Sequence, residues 1–417
     1  MSIKNKLKTQ AAVVLTSEGL HVARQRIAEV RRRLSGKPYT VQYFHDVADP
    51  YCHLSLQLLL ELQNKFDVQI EPHLISRPAS DIQPLPTEYW QNSWADTVRW
   101  ARRLGLAAPQ QPAPSDADFA QAERRLAALL GDQDFASKAR QISTALWSGL
   151  DIPEGAHSDP NVARRAGDQA LAAAGHYLGG SFAYGGECYW GPDRLGYLDG
   201  RLATLGLGPS HPPIVPDYSE PFPDATGQEL EFFFSFRSPY SYLAFDRVRD
   251  LATRTNARLI LRPVLPMLMR GLPVPKAKSS YILGDCAREA RRLAIPFGRI
   301  SDPLGAGIER GYALLDYAEA EGRLPEYCAA FMTGAWAQGL DASTDTGLAE
   351  VVRQAGLEWQ TAKTLIGTSD WRARVEANQE RLLQIGLWGV PSFHLNGQSV
   401  WGQDRLWVLQ DLIRAQA

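Results

Sequence analysis

Residues 231–245 read EFFFSFRSPYSYLAF, an apolar aromatic run that halts at Ser238-Pro239-Tyr240-Ser241 and then takes on helical spacing. An aromatic run of this kind predicts a buried strand. Ser followed by Pro predicts a helix start, because Pro at the first helical position gives up no hydrogen bond. The pattern therefore places the Ser238 hydroxyl at a helix N-terminus. There the unpaired amides and partial positive charge of the first turn stabilise an anion, a thiolate included. A serine in this position is also a good N-cap, so a structural role stands beside any chemical one.

The same phrase occurs earlier in the chain. The strand-like YTVQYFHDV leads to Asp49-Pro50-Tyr51-Cys52 and then to the helical pattern HLSLQLLLELQNKF. Pro239 lies 189 positions beyond Pro50, and Phe233 and Leu243 lie 189 beyond Phe44 and Leu54. Ala290-Arg291-Arg292-Leu293, Asp285 and Trp336 repeat Ala101-Arg102-Arg103-Leu104, Asp96 and Trp147 at that same spacing. Towards the two ends the spacing becomes 211, which relates Ser392-Phe393 to Ser181-Phe182, and Trp401-Gly402-Gln403-Asp404-Arg405-Leu406 to Trp190-Gly191-Pro192-Asp193-Arg194-Leu195. A spacing sustained across several motifs marks an internal repeat. The change from 189 to 211 leaves the first copy 22 residues shorter between Trp147 and Gly180, about one helix.

Between the copies, residues 206–228 read GLGPSHPPIVPDYSEPFPDATGQ, whose prolines exclude a packed helix or central strand and predict an extended linker. Four segments follow: an N-terminal helical extension over 1–36, domains over 37–205 and 229–417, and the linker. The extension, with Lys and Arg at helical spacing and Arg31-Arg32-Arg33 near its end, predicts a surface helix with a solvated basic face. In the second copy the pattern predicts a strand at 231–236, a helix from Pro239 to Arg254 and a strand at 258–262. A long helical region follows to Ile385, then a hairpin turning at Asn396-Gly397 and a helix over 404–415. A strand, crossover helix and parallel strand, followed by a hairpin and last helix, make an α/β sheet covered on its faces.

At 417 residues, with 45% hydrophobic and 22% charged residues, the chain has the composition of a globular protein of two domains. The net charge of −2 gives no electrostatic basis for binding nucleic acid or an anionic membrane, and no apolar run is long enough to span a bilayer. The N-terminus has a basic start but an apolar patch only over 11–15, so the expectation is a cytoplasmic protein without a secretory signal. Cys52, Cys188, Cys286 and Cys328 form no C-x-x-C pair, which excludes a zinc knuckle or local dithiol; no metal is expected.

FFFSFRSPYSYLA at 232–244, GVPSF at 389–393 and WGQDRL at 401–406 together resemble the 2-hydroxychromene-2-carboxylate isomerases and kappa-class glutathione transferases. Both belong to the DsbA-like branch of the thioredoxin fold. The resemblance implies two tandem DsbA-like thioredoxin-fold domains, each with an inserted helical subdomain, the first copy degenerate. It also implies glutathione as cofactor, a small aromatic or unsaturated substrate, and isomerase or transferase chemistry. Ser238 would hydrogen-bond the glutathione sulfur and Pro391 would be the cis-proline. Val390 would pair its backbone with the glutathione peptide, and Gln403 and Asp404 would hold the γ-glutamyl end. A hydroxyl donor and helix amides favour thiolate over thiol, and a carboxylate suits an ammonium.

The segment PVLPMLMRGLPVPKAK lacks the asparagine of the family pattern, with Lys276 or Lys278 as replacements and a solvated lysine as the alternative. Tyr240 and Tyr281 are candidate substrate contacts or packing residues. In the first copy Asp49 replaces Ser238, Gly180 replaces Pro391 and Pro192 replaces Gln403. An aspartate caps a helix well but opposes a thiolate. Cys52 stands at the second position of the C-x-x-C frame, as a lone redox thiol or a buried one. The alternative function is a noncatalytic DsbA-like protein that binds peptide or protein; the expected assembly is a homodimer, or an intramolecular pseudo-dimer of the two copies.

Overall fold

The structure is a computed structural model describing residues 3–110, 112–216 and 227–415. By their contacts the described residues form two compact units, one drawn from 1–21, 220–274 and 279–417, the other from 22–219 and 275–278. The N-terminal extension is two helices, α1 (Ile3–Thr16) and α2 (Glu18–Leu34), rather than one. Thr9 of α1 donates to the Ile300 carbonyl at 2.8 Å, within the first unit. Glu29 of α2 accepts from the Tyr184 hydroxyl at 2.7 Å, within the second. The basic run is tied down at Arg32, which pairs with Glu29 at 3.1 Å and lies over the Tyr39 ring.

The unit of residues 22–219 continues with β1 (Thr40–His45), α3 (Pro50–Lys65), β2 (Gln69–Leu74), α4 (Pro86–Leu104), α5 (Asp116–Ala127), α6 (Phe135–Trp147), α7 (Pro160–Ala173), β3 (Ser181–Tyr184), β4 (Glu187–Trp190) and α8 (Gly191–Thr204). Its sheet has the order β2-β1-β3-β4, with β1 parallel to β2 and antiparallel to β3. The stretch expected as linker is not free at its start. Asp67 donates its amide to the Leu207 carbonyl, Ile214 its amide to Asp199, and Lys65 its ammonium to the Pro212 carbonyl. The remainder of that linker, residues 217–226, lies outside the described residues.

The other unit comprises β5 (Glu229–Phe234), α9 (Pro239–Arg254), β6 (Arg258–Pro263), α10 (Lys276–Arg292), α11 (Ala306–Tyr312), α12 (Leu315–Ala320), α13 (Leu324–Thr333), α14 (Asp345–Gln354), α15 (Trp359–Leu365), α16 (Trp371–Gln384), β7 (Ser392–Leu395), β8 (Gln398–Trp401) and α17 (Leu406–Arg414). Its sheet order is β6-β5-β7-β8, with the same parallel and antiparallel pairings. β5 begins and ends two residues before the expected strand, because Ser235 already opens the turn by accepting from the Ser238 amide at 2.9 Å. Phe236 instead stacks on Phe331 of the helical insertion at 4.1 Å, and its carbonyl accepts from the Trp336 indole. The last helix starts at Leu406 rather than Asp404. The 22-residue difference corresponds to two short helices, α14 and α15, rather than one. Asn396 and Gly397, both at positive φ, close the β7–β8 hairpin as the Asn-Gly pair predicts.

Buried contacts recur at the spacings of the sequence repeat. Tyr51 donates its hydroxyl to Asp96 at 2.7 Å and Tyr240 to Asp285 at 2.8 Å. The Asp46 amide donates to Cys52 Sγ and the Ser235 amide to Ser241 Oγ. Ser181 Oγ donates to the Leu178 carbonyl as Ser392 Oγ does to Gly389. Both crossover helices are capped at the same turn: Asp49 accepts from the Tyr51 amide at 2.9 Å, and Ser238 from the Ser241 amide at 3.1 Å. Each cap satisfies an amide that has no partner within its helix.

Removing one hydroxyl donor leaves a buried carboxylate short of a bond, so Tyr51→Phe and Tyr240→Phe are each expected to cost about 1–3 kcal/mol in denaturant unfolding. Burial, with Asp46 adding its charge, raises the Asp49 carboxyl to about 8, against about 3.9 in an unfolded chain. Between those values the folded state keeps a proton that the unfolded chain has released, so stability falls as pH rises through the window. Asp49→Asn keeps a cap and is expected to flatten that fall when unfolding is followed from about pH 4 to pH 8.

Candidate functional site

In the C-terminal half the turn after β5 faces the loop before β7. Ser238 is the N-cap of α9 with extended backbone, and Pro239 occupies the first turn, which fixes the hydroxyl beside the helix amides. That hydroxyl accepts from Ser241 and donates to the Val390 carbonyl at 3.4 Å. The Val390–Pro391 peptide bond is cis. Ser238, Val390 and Pro391, far apart in sequence, thus form one small surface at the end of the central strands.

The loop is held carbonyl by carbonyl. Trp388 O accepts from Arg270 Nη2 at 2.8 Å, Gly389 O from Ser392 Oγ at 2.8 Å, and Pro391 O from the Gly402 amide at 3.0 Å. Trp388 also packs its ring on Trp401, and a Cβ on Gly389 would sit 2.4 Å from the Trp401 ring, so this glycine is required for the close approach. Of the four carbonyl bonds, the one from Ser238 is the longest and the easiest to exchange for a ligand atom. The Val390 amide has no hydrogen-bond partner among the described residues and is half-buried beside the cis bond, as strand-like pairing with a peptide ligand requires.

Arg270 was not a sequence candidate. It ends the short 3-10 turn Met267–Arg270, in the segment that departs from the family pattern. Burial lowers its guanidinium to about 10, and its Nε is buried without a partner among the described residues. A half-buried cation with a spare donor beside the Trp388–Pro391 loop suits an anionic ligand group. The only sequence signal was an arginine flanked by apolar residues where a polar contact was sought.

Two of the candidates, Gln403 and Cys52, are buried. Gln403 is 1 % exposed, and both ends of its side-chain amide are hydrogen-bonded inside the unit. It accepts from Arg247 at 2.7 Å and donates to the buried Glu289 at 2.8 Å, so it fixes the turn rather than reaching a ligand. Cys52 is completely buried; burial first, then Asp49 and Asp46, push its thiol well above the ordinary range, and it accepts from the Asp46 amide. It has the surroundings of a packing residue and not of a redox thiol.

The remaining candidates divide. Asp404 is half-buried beside Arg405 at 3.1 Å and precedes the N-cap of α17. Tyr240 is engaged with Asp285, and Tyr281 lies one helical turn before Asp285 on α10, so these three share one face. Lys276 is exposed and groups by contact with the other unit, where Lys278 donates to the Ile82 carbonyl. Among the described residues no cluster of His, Cys, Asp and Glu could hold a metal, and no helix is long and apolar enough to cross a membrane.

Comparison with known proteins bears on the same half of the chain. Residues 229–414 match the DSBA-like thioredoxin domain. A 2-hydroxychromene-2-carboxylate isomerase of Sphingobium xenophagum is 24% identical over 194 residues, 44% of this chain and 97% of that protein. Among solved structures, a 2-hydroxychromene-2-carboxylate isomerase aligns over 44% of this chain and 93% of its own at 23% identity, with a TM-score of 0.39. The cytosolic disulfide reductase DsbM of Pseudomonas aeruginosa, solved with GSH, aligns over 45% of this chain and 96% of its own at 18% identity, with a TM-score of 0.35. The C-terminal half of the chain carries a DsbA-like thioredoxin domain with low-identity homology to 2-hydroxychromene-2-carboxylate isomerases.

Proposed function

We propose that the C-terminal unit binds glutathione and catalyses a glutathione-dependent isomerisation or transfer on a small aromatic or unsaturated compound. The observation that carries this reading is the Ser238 hydroxyl, held at the N-terminus of α9 and joined to the Val390 carbonyl beside cis-Pro391 by a long hydrogen bond. Glutathione supplies a thiolate nucleophile to such a site when bound. Ser238 then turns its hydroxyl from Val390 to the sulfur, and the first-turn amides of α9 add to the stabilisation of negative charge. Val390 offers its amide and carbonyl to the peptide, Arg270 a cation for a carboxylate, and Asp404 an anion for the ammonium. Tyr240 and Tyr281 line the side on which an aromatic substrate would enter. The names of the isomerase relatives favour isomerisation, with kappa-type transfer as a second use of the same thiolate.

The chain also fits a tandem duplication, supported by the common strand order and the paired buried contacts at sequence spacings of 189 and 211. In this reading the N-terminal copy has lost thiolate binding, since Asp49 stands where Ser238 does and Gly180 where Pro391 does. It serves in place of a second protomer or as a structural partner, and the protein works in the cytoplasm.

Ligand binding raises stability by about 2.7 kcal/mol when ligand is at 100 times its dissociation constant. Millimolar glutathione is therefore expected to raise the unfolding temperature of the full chain, and 2-hydroxychromene-2-carboxylate to be turned over only in its presence. No thermal shift would contradict glutathione binding, and a shift without turnover of this or related aromatic compounds would favour a noncatalytic binding protein. Ser238→Ala is expected to cost about 1 kcal/mol of stability. Ser238→Asp keeps the cap but opposes the thiolate, and turnover should drop roughly 10²–10³-fold in either variant.

A further inference from the structure

The turn that carries Ser238 in one unit carries Asp49 in the other, and there it opens into a cavity of about 570 Å³ lined wholly by residues of that unit. Asp46 and Asp49 lie on its wall, both buried, and neither is ion-paired among the described residues. Each uses one carboxylate oxygen on a backbone amide, Asp46 on Ala48 at 3.0 Å and Asp49 on Tyr51 at 2.9 Å. Their second oxygens have no donor among the described residues. Arg77, at the rim, acts on Asp46 through its charge without forming an ion pair with it; its salt bridge is to Asp116 at 3.5 Å, and it lies over the Phe119 ring. The aromatic side chains of Tyr89, Trp90 and Phe119 form the rest of the wall.

A second, independent feature points to a ligand. Gln83 lines the same cavity, is only 9 % exposed, and its Nε2 is buried without a partner among the described residues. A buried donor of this kind costs stability unless something accepts from it. The cavity therefore presents two buried acidic groups without an ion pair among the described residues, one unsatisfied donor and an aromatic wall.

We propose that this cavity of the N-terminal unit is a binding site for a small protonated amine carried on an aromatic body with a hydrogen-bond acceptor. The ammonium takes the free oxygens of Asp46 and Asp49, the ring packs against Trp90 and Phe119, and the acceptor meets Gln83 Nε2. An ammonium in this setting gains from charge-assisted hydrogen bonds and from nearby aromatic faces. Burial raises both carboxyls, Asp46 despite the opposing charge of Arg77, and an ammonium relieves that electrostatic demand. The replacement of Ser238 by Asp49 thus reads as an inversion of the preferred ligand charge at one turn. It does not depend on glutathione binding to the other unit.

Calorimetric titration of the full chain with tyramine, and with tyrosol as its neutral counterpart, tests the proposal. Tyramine is expected to bind saturably at one site and tyrosol at least about tenfold more weakly. Asp49→Asn, which retains a cap and whose fold is checked by circular dichroism, should weaken tyramine at least about tenfold and leave tyrosol unchanged. Gln83→Leu removes an unpaired donor without emptying its space and should weaken tyramine severalfold. Absence of tyramine binding up to millimolar concentration, equal binding of the amine and the alcohol, or full affinity in both variants would overturn it.

Discussion

A helix that follows a central strand must have its first amides satisfied where the sheet ends, and in this chain that requirement is met by a single side chain at each crossover. Asp49 does so for α3 by accepting from the amide two residues on, and Ser238 for α9 from the amide three residues on. The fold is indifferent to which of the two is used, since both are good caps. The chemistry is not, because one cap is an acid that ionises when a cation offsets its burial and the other is a neutral hydroxyl donor. Much of what distinguishes the two halves follows from that exchange and from the residues that face it.

Facing Ser238 is a loop with every carbonyl from Trp388 to Pro391 engaged, three of them at 2.8–3.0 Å and the fourth, to Ser238, at 3.4 Å. Three firm tethers and one loose one hold the loop in place and leave the bond to the serine the weakest of the four. The buried chain Arg247, Gln403 and Glu289 holds the following turn in the same way. At the positions 189 and 211 earlier the N-terminal half has Leu58, Trp100 and Pro192, which cannot form such a polar chain. Polar support and the serine cap therefore occur in the same half.

The repeated spacing carried much of the fold because Pro, Gly, Trp and Asp at turns and helix starts are constrained by backbone geometry, and those were the residues that recurred. The strand, crossover helix and parallel strand with the helix start at Pro239 were legible for this reason, and the Asn396-Gly397 hairpin from its turn residues. The end of β5 was not, since Phe236 is as aromatic as the strand before it but packs on the helical insertion, a contact that local sequence does not encode. Gln403 and Cys52 show a related limit: position in a motif says where a side chain starts, whereas its burial shows only in the folded structure. Arg270 was missed because its approach to Trp388 joins segments 118 residues apart, and no periodicity reports such a contact. The cavity at Asp49 was hidden likewise, because Gln83, Trp90 and Phe119 come from separate loops and helices.

The central claim is that the Ser238 turn favours a thiolate. Titration of glutathione on the full chain, followed by ultraviolet thiolate absorbance, measures this directly. The account predicts that bound glutathione ionises at a lower pH than free glutathione, and that Ser238→Ala moves its ionisation back towards the free value. Bound glutathione that ionises as it does in solution, or a shift that Ser238→Ala leaves untouched, would contradict it.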